Sequence, residues 1–158
     1  MTLTLPPNPF LPTRITALTN LTREGGVIMS MDLPTLPVSP ALPFPKLRAG
    51  IGHGAWARTG FPPGLTDRGK VMIDLWRFIT CAQAAGCTIP FPILITGNEG
   101  DVVAVARGKA EFTINPRTGT LEGIAEVQLY APDRQRPLLP PLPGTIVGER
   151  QQPEPINP

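Results

Sequence analysis

Few residues in this chain have types and spacings that could do chemistry. His53 is the sole histidine and sits in Gly50-Ile51-Gly52-His53-Gly54, while Cys81 and Cys87 are the only thiols. A glycine-rich segment cradles phosphate where it joins a strand to a helix N-terminus, because the backbone N–H groups there point at the anion. No clear strand pattern precedes Gly50 and no helix pattern follows Gly54 at once. A catalytic imidazole needs a nucleophile or a carboxylate to work with, and neither a Ser, a Cys nor a recognisable carboxylate pair lies close to His53 in sequence. The spacing of Cys81 and Cys87 fits neither a zinc knuckle nor a redox pair, and one histidine leaves a metal short of ligands. The two thiols read as small, half-buried hydrophobes. The expectation is a non-enzyme with no catalytic residue, cofactor, metal or small-molecule substrate.

Charge narrows the partners. The net charge is +2, with five basic and two acidic side chains in residues 1–65, six and seven in 66–131, and three of each in 132–158. No run of Lys or Arg is present, so nucleic acid is not expected as the main partner. The apolar runs are broken by proline or charge well short of a membrane span. No basic stretch followed by an apolar run opens the sequence. No membrane partner is expected, and a cytoplasmic setting is the default.

Proline sets the boundaries of the elements. Of 22 prolines, eleven lie in residues 1–65 and eight in 132–158, leaving only Pro90, Pro92 and Pro116 in between. Proline lacks a backbone donor and fixes φ, so helices and central strands exclude it. The chain therefore divides into a Pro-rich N-terminal arm (1–65), a core (66–131) and a Pro-rich C-terminal arm (132–158).

Within the core, Thr66 is a candidate helix cap and Gly86 a natural stop. At 100° per residue, Val71, Met72, Leu75, Trp76, Phe78, Ile79 and Ala82 share one arc, opposite Lys70, Asp74, Arg77 and Cys81. This predicts a helix lying on a sheet. Two hairpins follow. The first pairs Ile95 with Val102 and Ile93 with Ala104; the second pairs Ile114 with Leu121, Phe112 with Gly123 and Lys109 with Glu126. The expected fold class is α+β, one helix packed on a three-stranded antiparallel meander and flanked by extended arms.

The arms repeat a Leu-Pro dipeptide. Its leucines are Leu5, Leu11, Leu33, Leu36, Leu42, Leu139 and Leu142, and Pro34, Pro37, Pro40 and Pro43 recur at the polyproline II period. Segments so apolar and so poor in charge are unsuited to free solution. The seven leucines are the candidate partner-binding anchors. The functional expectation is a structural subunit of a large protein assembly whose arms strap neighbouring subunits, a virion component of a tailed phage being the leading case. Its partners are then other protein subunits, and its location the virion. The alternatives are an adaptor presenting residues 33–46 as a polyproline II ligand and, more remotely, a small enzyme using the Gly50–Gly54 loop.

Overall fold

The computed structural model describes residues 1–7, 11, 13–31, 46–59, 70–89 and 92–150. Ten strands run along them: β1 (Thr2–Thr4), β2 (Arg14–Leu21), β3 (Gly26–Met31), β4 (Leu47–Thr59), β5 (Lys70–Cys81), β6 (Cys87–Ile89), β7 (Ile95–Gly97), β8 (Val102–Ile114), β9 (Thr120–Tyr130) and β10 (Leu142–Glu149). Eight close into an antiparallel barrel in the order β1-β10-β9-β8-β5-β4-β3-β2, and β6 pairs with β7 as a separate two-stranded sheet. No helix occurs among the described residues. The α+β expectation is therefore overturned: the fold is all-β. The segments expected as arms supply β1 to β4 and β10, five of the eight staves.

The expected helix is β5, and one residue explains the error. Along β5 the inward positions are Val71, Ile73, Leu75, Arg77, Ile79 and Cys81, all buried. Strict alternation would have announced a strand, but Arg77 places a cation in the apolar series. Outward Met72, Trp76 and Phe78 meanwhile filled out a helical arc. β-Branched and aromatic residues make up half of β5, which is the composition of a strand.

The interior is packed by matching large against small. Each large inward residue of β5 lies opposite a small one of β8: Ile73 faces Ala110, Leu75 faces Gly108, Arg77 faces Ala106 and Ile79 faces Ala104. On the other side Leu75 faces Gly54 and Arg77 faces Gly52. Small walls beside a bulky stave let an eight-stranded barrel be filled by side chains. Val27, Met29, Phe112 and Ile146 complete this part of the core.

The β8–β9 hairpin has the expected register, with Phe112 opposite Gly123 and Lys109 opposite Glu126. The other expected hairpin does not form, because β7 pairs with β6 and β8 pairs with β5. Its turn is tied to the end of β5 instead: Cys81 N–H donates to the Asp101 carbonyl and Gly100 N–H to the Cys81 carbonyl. The two cysteines, read from sequence as separate hydrophobes, form a disulfide that packs with Ile89 and Val103.

Because the strands alternate in direction, the connections β1–β2, β3–β4, β5–β8 and β9–β10 all leave and re-enter at one rim. They carry four, five, two and four prolines respectively, fifteen of the 22 in the chain. Proline marks the connections of a barrel here, not arms outside a core.

Two outcomes test this fold. Leu75→Asp buries an unpaired charge and is expected to destabilise the chain by more than about 4 kcal/mol in urea titrations, whereas outward-facing Trp76→Asp costs only about 1–2 kcal/mol. A helix carrying both residues on its buried arc would make the two equally damaging. The Cys81→Ser/Cys87→Ser double variant is expected to lose about 2 kcal/mol, the loop-closure effect for so short a loop, with the barrel's circular dichroism retained.

Candidate interaction surface

The residues singled out for chemistry lie in a strand and a disulfide. Gly50 to Gly54 is not a loop but the middle of β4, paired with β3 and β5 around a bulge between Ala49 and Gly52. Gly54 is there because a Cβ would strike the Asp74 carbonyl and the Leu75 Cα of the neighbouring strand. His53 points outward, in register with Ile28 on β3 and Trp76 on β5. Cys81 and Cys87 are bonded to each other. Among the described residues no group of three His, Cys, Asp or Glu side chains is arranged to hold a metal.

A void of about 50 Å³ beneath β1 is lined by apolar surface alone, from residues such as Met1, Leu3, Ala17 and Ile146. Among the described residues Arg77 is the one buried charged side chain, 3% exposed. Its Nη2 donates to the Met29 carbonyl at 2.9 Å while Nε has no partner. Burial pushes its pKa below the usual arginine value, though a guanidinium remains protonated in proteins.

The space available to a partner lies outside. A trough of about 760 Å³ crosses the outer wall over β4, β5, β8, β9 and β10. Two rungs of paired residues form it. The first runs Ala55, Asp74, Lys109, Glu126, Pro143, and the second Ala57, Met72, Glu111, Ile124. The first rung is mostly charged. In the second, Met72 and Ile124 stand 43% and 65% exposed on either side of Glu111. Lys70 clamps that Glu111 at 2.6 Å. Charges in mid-strand on the outer wall, over an apolar interior, are the reverse of the pattern of a lipid-facing barrel. No helix among the described residues is long and apolar enough to cross a membrane.

Next to the trough the same wall carries aromatic rings under arginines. Arg107 grips the Asp74 carboxylate with two N–H groups, Nε at 2.9 Å, and its guanidinium lies 4.9 Å from the Trp76 ring centre. Tyr130 stacks obliquely on Trp76 at 5.5 Å. Arg134 reaches over both Trp76 and Phe78, at 5.8 and 5.1 Å. Its backbone is held at φ 61°, the only non-glycine positive φ among the described residues. The turn forces this: Arg134 N–H donates to the Ala131 carbonyl, and the Asp133 carboxylate accepts from the N–H groups of Gln135 and Arg136. These rings and cations weld the turn from β9 to β10 onto the wall.

Of the seven Leu-Pro anchors proposed from sequence, Leu5, Leu11 and Leu142 meet in one cluster. Leu5 and Leu11 are buried with Leu3 and Ile15 inside the chain's own barrel, and Leu142 packs against that cluster. Leu139 is half-buried and its carbonyl accepts from Gln128. Leu33, Leu36 and Leu42 lie outside the described residues, as does the polyproline II segment up to Pro45. Sequence reasoning paired Lys109 with Glu126 but missed the trough. The signal was Lys109 and Asp74 recurring at outward positions, and it needed β5 as a strand.

The Asp74–Arg107 pair gives a pH test. Hydrogen bonding to the Arg107 guanidinium lowers the Asp74 pKa below the ordinary 3.8, against a smaller opposing effect of burial. A carboxyl group with a depressed folded pKa stabilises the fold above its unfolded value, and that stabilisation disappears as the pH falls through the folded value. Wild type is therefore expected to be more stable than Asp74→Asn at neutral pH by a small margin, the pair being partly exposed. The gap should close as the pH falls below about 3.8, as measured by urea unfolding across a pH series. Comparison of the chain with protein families, curated proteins and solved structures finds no match in any of the three, so its function is argued from this surface alone.

Proposed function

We propose that this protein is a non-enzymatic structural subunit of a larger protein assembly, docking to other protein subunits through the outer wall of its barrel. The observation that carries the reading is where the space lies: about 760 Å³ in an outer trough and about 50 Å³ of apolar void inside. Eight-stranded barrels that carry small ligands hold them in the lumen. In this lumen the β5 side chains pack with Val27, Met29, Phe112 and Ile146. The trough combines exposed Met72 and Ile124 with the charged row Asp74, Lys109 and Glu126. Apolar centres with charged surrounds suit protein docking.

A virion is the kind of assembly proposed, as from the sequence. The Cys81–Cys87 disulfide supports a setting outside a reducing cytoplasm, and virion surfaces are among the places where such bonds persist. The strapping role first assigned to the flanks is not part of the proposal, since five of their segments are barrel strands.

The test is substitution of the two exposed apolar residues together. Met72→Lys/Ile124→Lys is expected to leave the circular dichroism unchanged and the stability within about 0.5 kcal/mol, as for other exposed positions. It should shift the chain from the high-mass to the low-mass fractions when extracts of the producing cells are sedimented. A wild-type chain that sediments as a free monomer from those extracts would overturn the reading.

A further inference from the structure

We propose that the slot between β2 and β10 is a strand-acceptor site, and that in the assembled state it takes residues 1–5 of a second copy of this chain in place of its own. The proposal rests on the reading of the chain as an assembly subunit and supplies its mode of linkage.

Barrel closure depends on very little. β1 is three residues long, yet it alone joins β10 to β2. Leu3 lies opposite Ile146 on one side and Ile15 on the other, with Thr2 and Thr4 flanking it in both ladders. Beyond these, Met1 and Ala17 exchange backbone hydrogen bonds at 3.0 and 2.8 Å, and Leu5 N–H donates to the Thr13 carbonyl.

The slot is shaped for such a strand. Gly144 and Gly148 stand at either end of the β10 segment that faces β1. A Cβ on Gly144 would sit 2.6 Å from the Thr4 carbonyl oxygen, and one on Gly148 2.8 Å from the Met1 Cα. The side chains of the inserted strand are apolar plugs: Leu3 and Leu5 are 9% and 3% exposed. Packing is loose beneath Leu3, where the 50 Å³ void is lined by Met1, Leu3, Ile15 and Ile146. The acceptor is thus specific in backbone and tolerant in depth.

The connection is rich in proline. Between Leu5 and Thr13 the sequence places Pro6, Pro7, Pro9 and Pro12. Proline restricts the chain to extended conformations. Exchange of an identical element between copies is a low-cost route to oligomers. An exchanged β1 makes every contact it makes at home, so the exchange conserves the interface. Passing the strand from copy to copy is a head-to-tail contact, which generates rings or fibres.

The experiment uses the register pair Thr4 and Thr145, both exposed on the outer wall. Full-length Thr4→Cys and Thr145→Cys chains are mixed, unfolded at acid pH with the native disulfide intact, and refolded together at high concentration. A short thiol cross-linker is then added. Strand exchange is expected to give a covalent heterodimer absent from either chain alone, and light scattering of the refolded wild type should show dimers or larger species. The Thr4→Cys/Thr145→Cys single chain reports whether the pair is within reach, by linking to itself. Self-linking in that control with no heterodimer in the mixture overturns the proposal, as does a refolded wild type that is monomeric at every concentration. Neither result touches the Met72/Ile124 test of outer-wall docking.

Discussion

The middle of the barrel depends on one steric constraint, that the bulk of Leu75, Arg77 and Ile79 projecting inward from β5 be met by Gly or Ala on both neighbouring strands. Ile73, Leu75, Arg77 and Ile79 lie across from Ala110, Gly108, Ala106 and Ala104 of β8. A lumen of eight strands has room for about one layer of large side chains. If β8 carried Leu or Ile at these places, β5 could not point inward without opening the barrel. Gly52 belongs to the same constraint, since a Cβ there would come to 3.2 Å from Leu75 Cδ1 and into ordinary contact with Arg77 Nη2 at 3.5 Å. A buried cation with a single carbonyl partner is expensive.

What was legible in the sequence was local. The hairpin of β8 and β9 spans one tight turn, and its register follows from alternation on two adjacent strands. β5 was illegible because Arg77 broke the alternation while outward Met72, Trp76 and Phe78 imitated a helical stripe. Outward apolar residues are ordinary on a wall that docks its own turn, as Trp76 and Phe78 do under Arg134. Nothing in a period-based reading separates that from amphipathicity. The staves β1 to β4 were illegible for another reason: their partners are set by closure, and closure joins Leu3 to Ile146 across almost the whole chain. The disulfide shares this difficulty, since it depends on β6 lying beside the end of β5.

The proline argument was sound in its physics and misapplied in its geometry. Proline is excluded from central strands, and the chain obeys this at every stave but one. The exception, Pro143, opens β10 opposite Glu126, beyond the point where the β1 ladder ends at Thr145. A strand flanked on one side only tolerates a missing donor. Density of proline was then equated with distance from the core. In this up-and-down barrel four connections that start and end at one rim carry fifteen of the 22 prolines, and strands of three to thirteen residues run between the connections. A helix on a three-stranded sheet leaves little apolar surface for ninety more residues, whereas a closed barrel gives each stave an inward face of its own.

Closure and the outer wall are linked through β10. Its Pro143 and Gly144 form the far lip of the trough, and Gly144 is also the residue cut back to admit Thr4 and Leu5. Whatever strand fills the slot therefore presses on the backbone that borders the trough. With β1 seated, β10 is held between two ladders; without it, β10 hangs from β9 alone and the lip loses its support. Both surfaces are thus properties of the closed barrel. A copy that receives its closing strand from a neighbour acquires, in the same event, a rigid outer wall to offer the next partner. Coupling of this kind needs no conformational signal carried through the core, since the two sites share one strand.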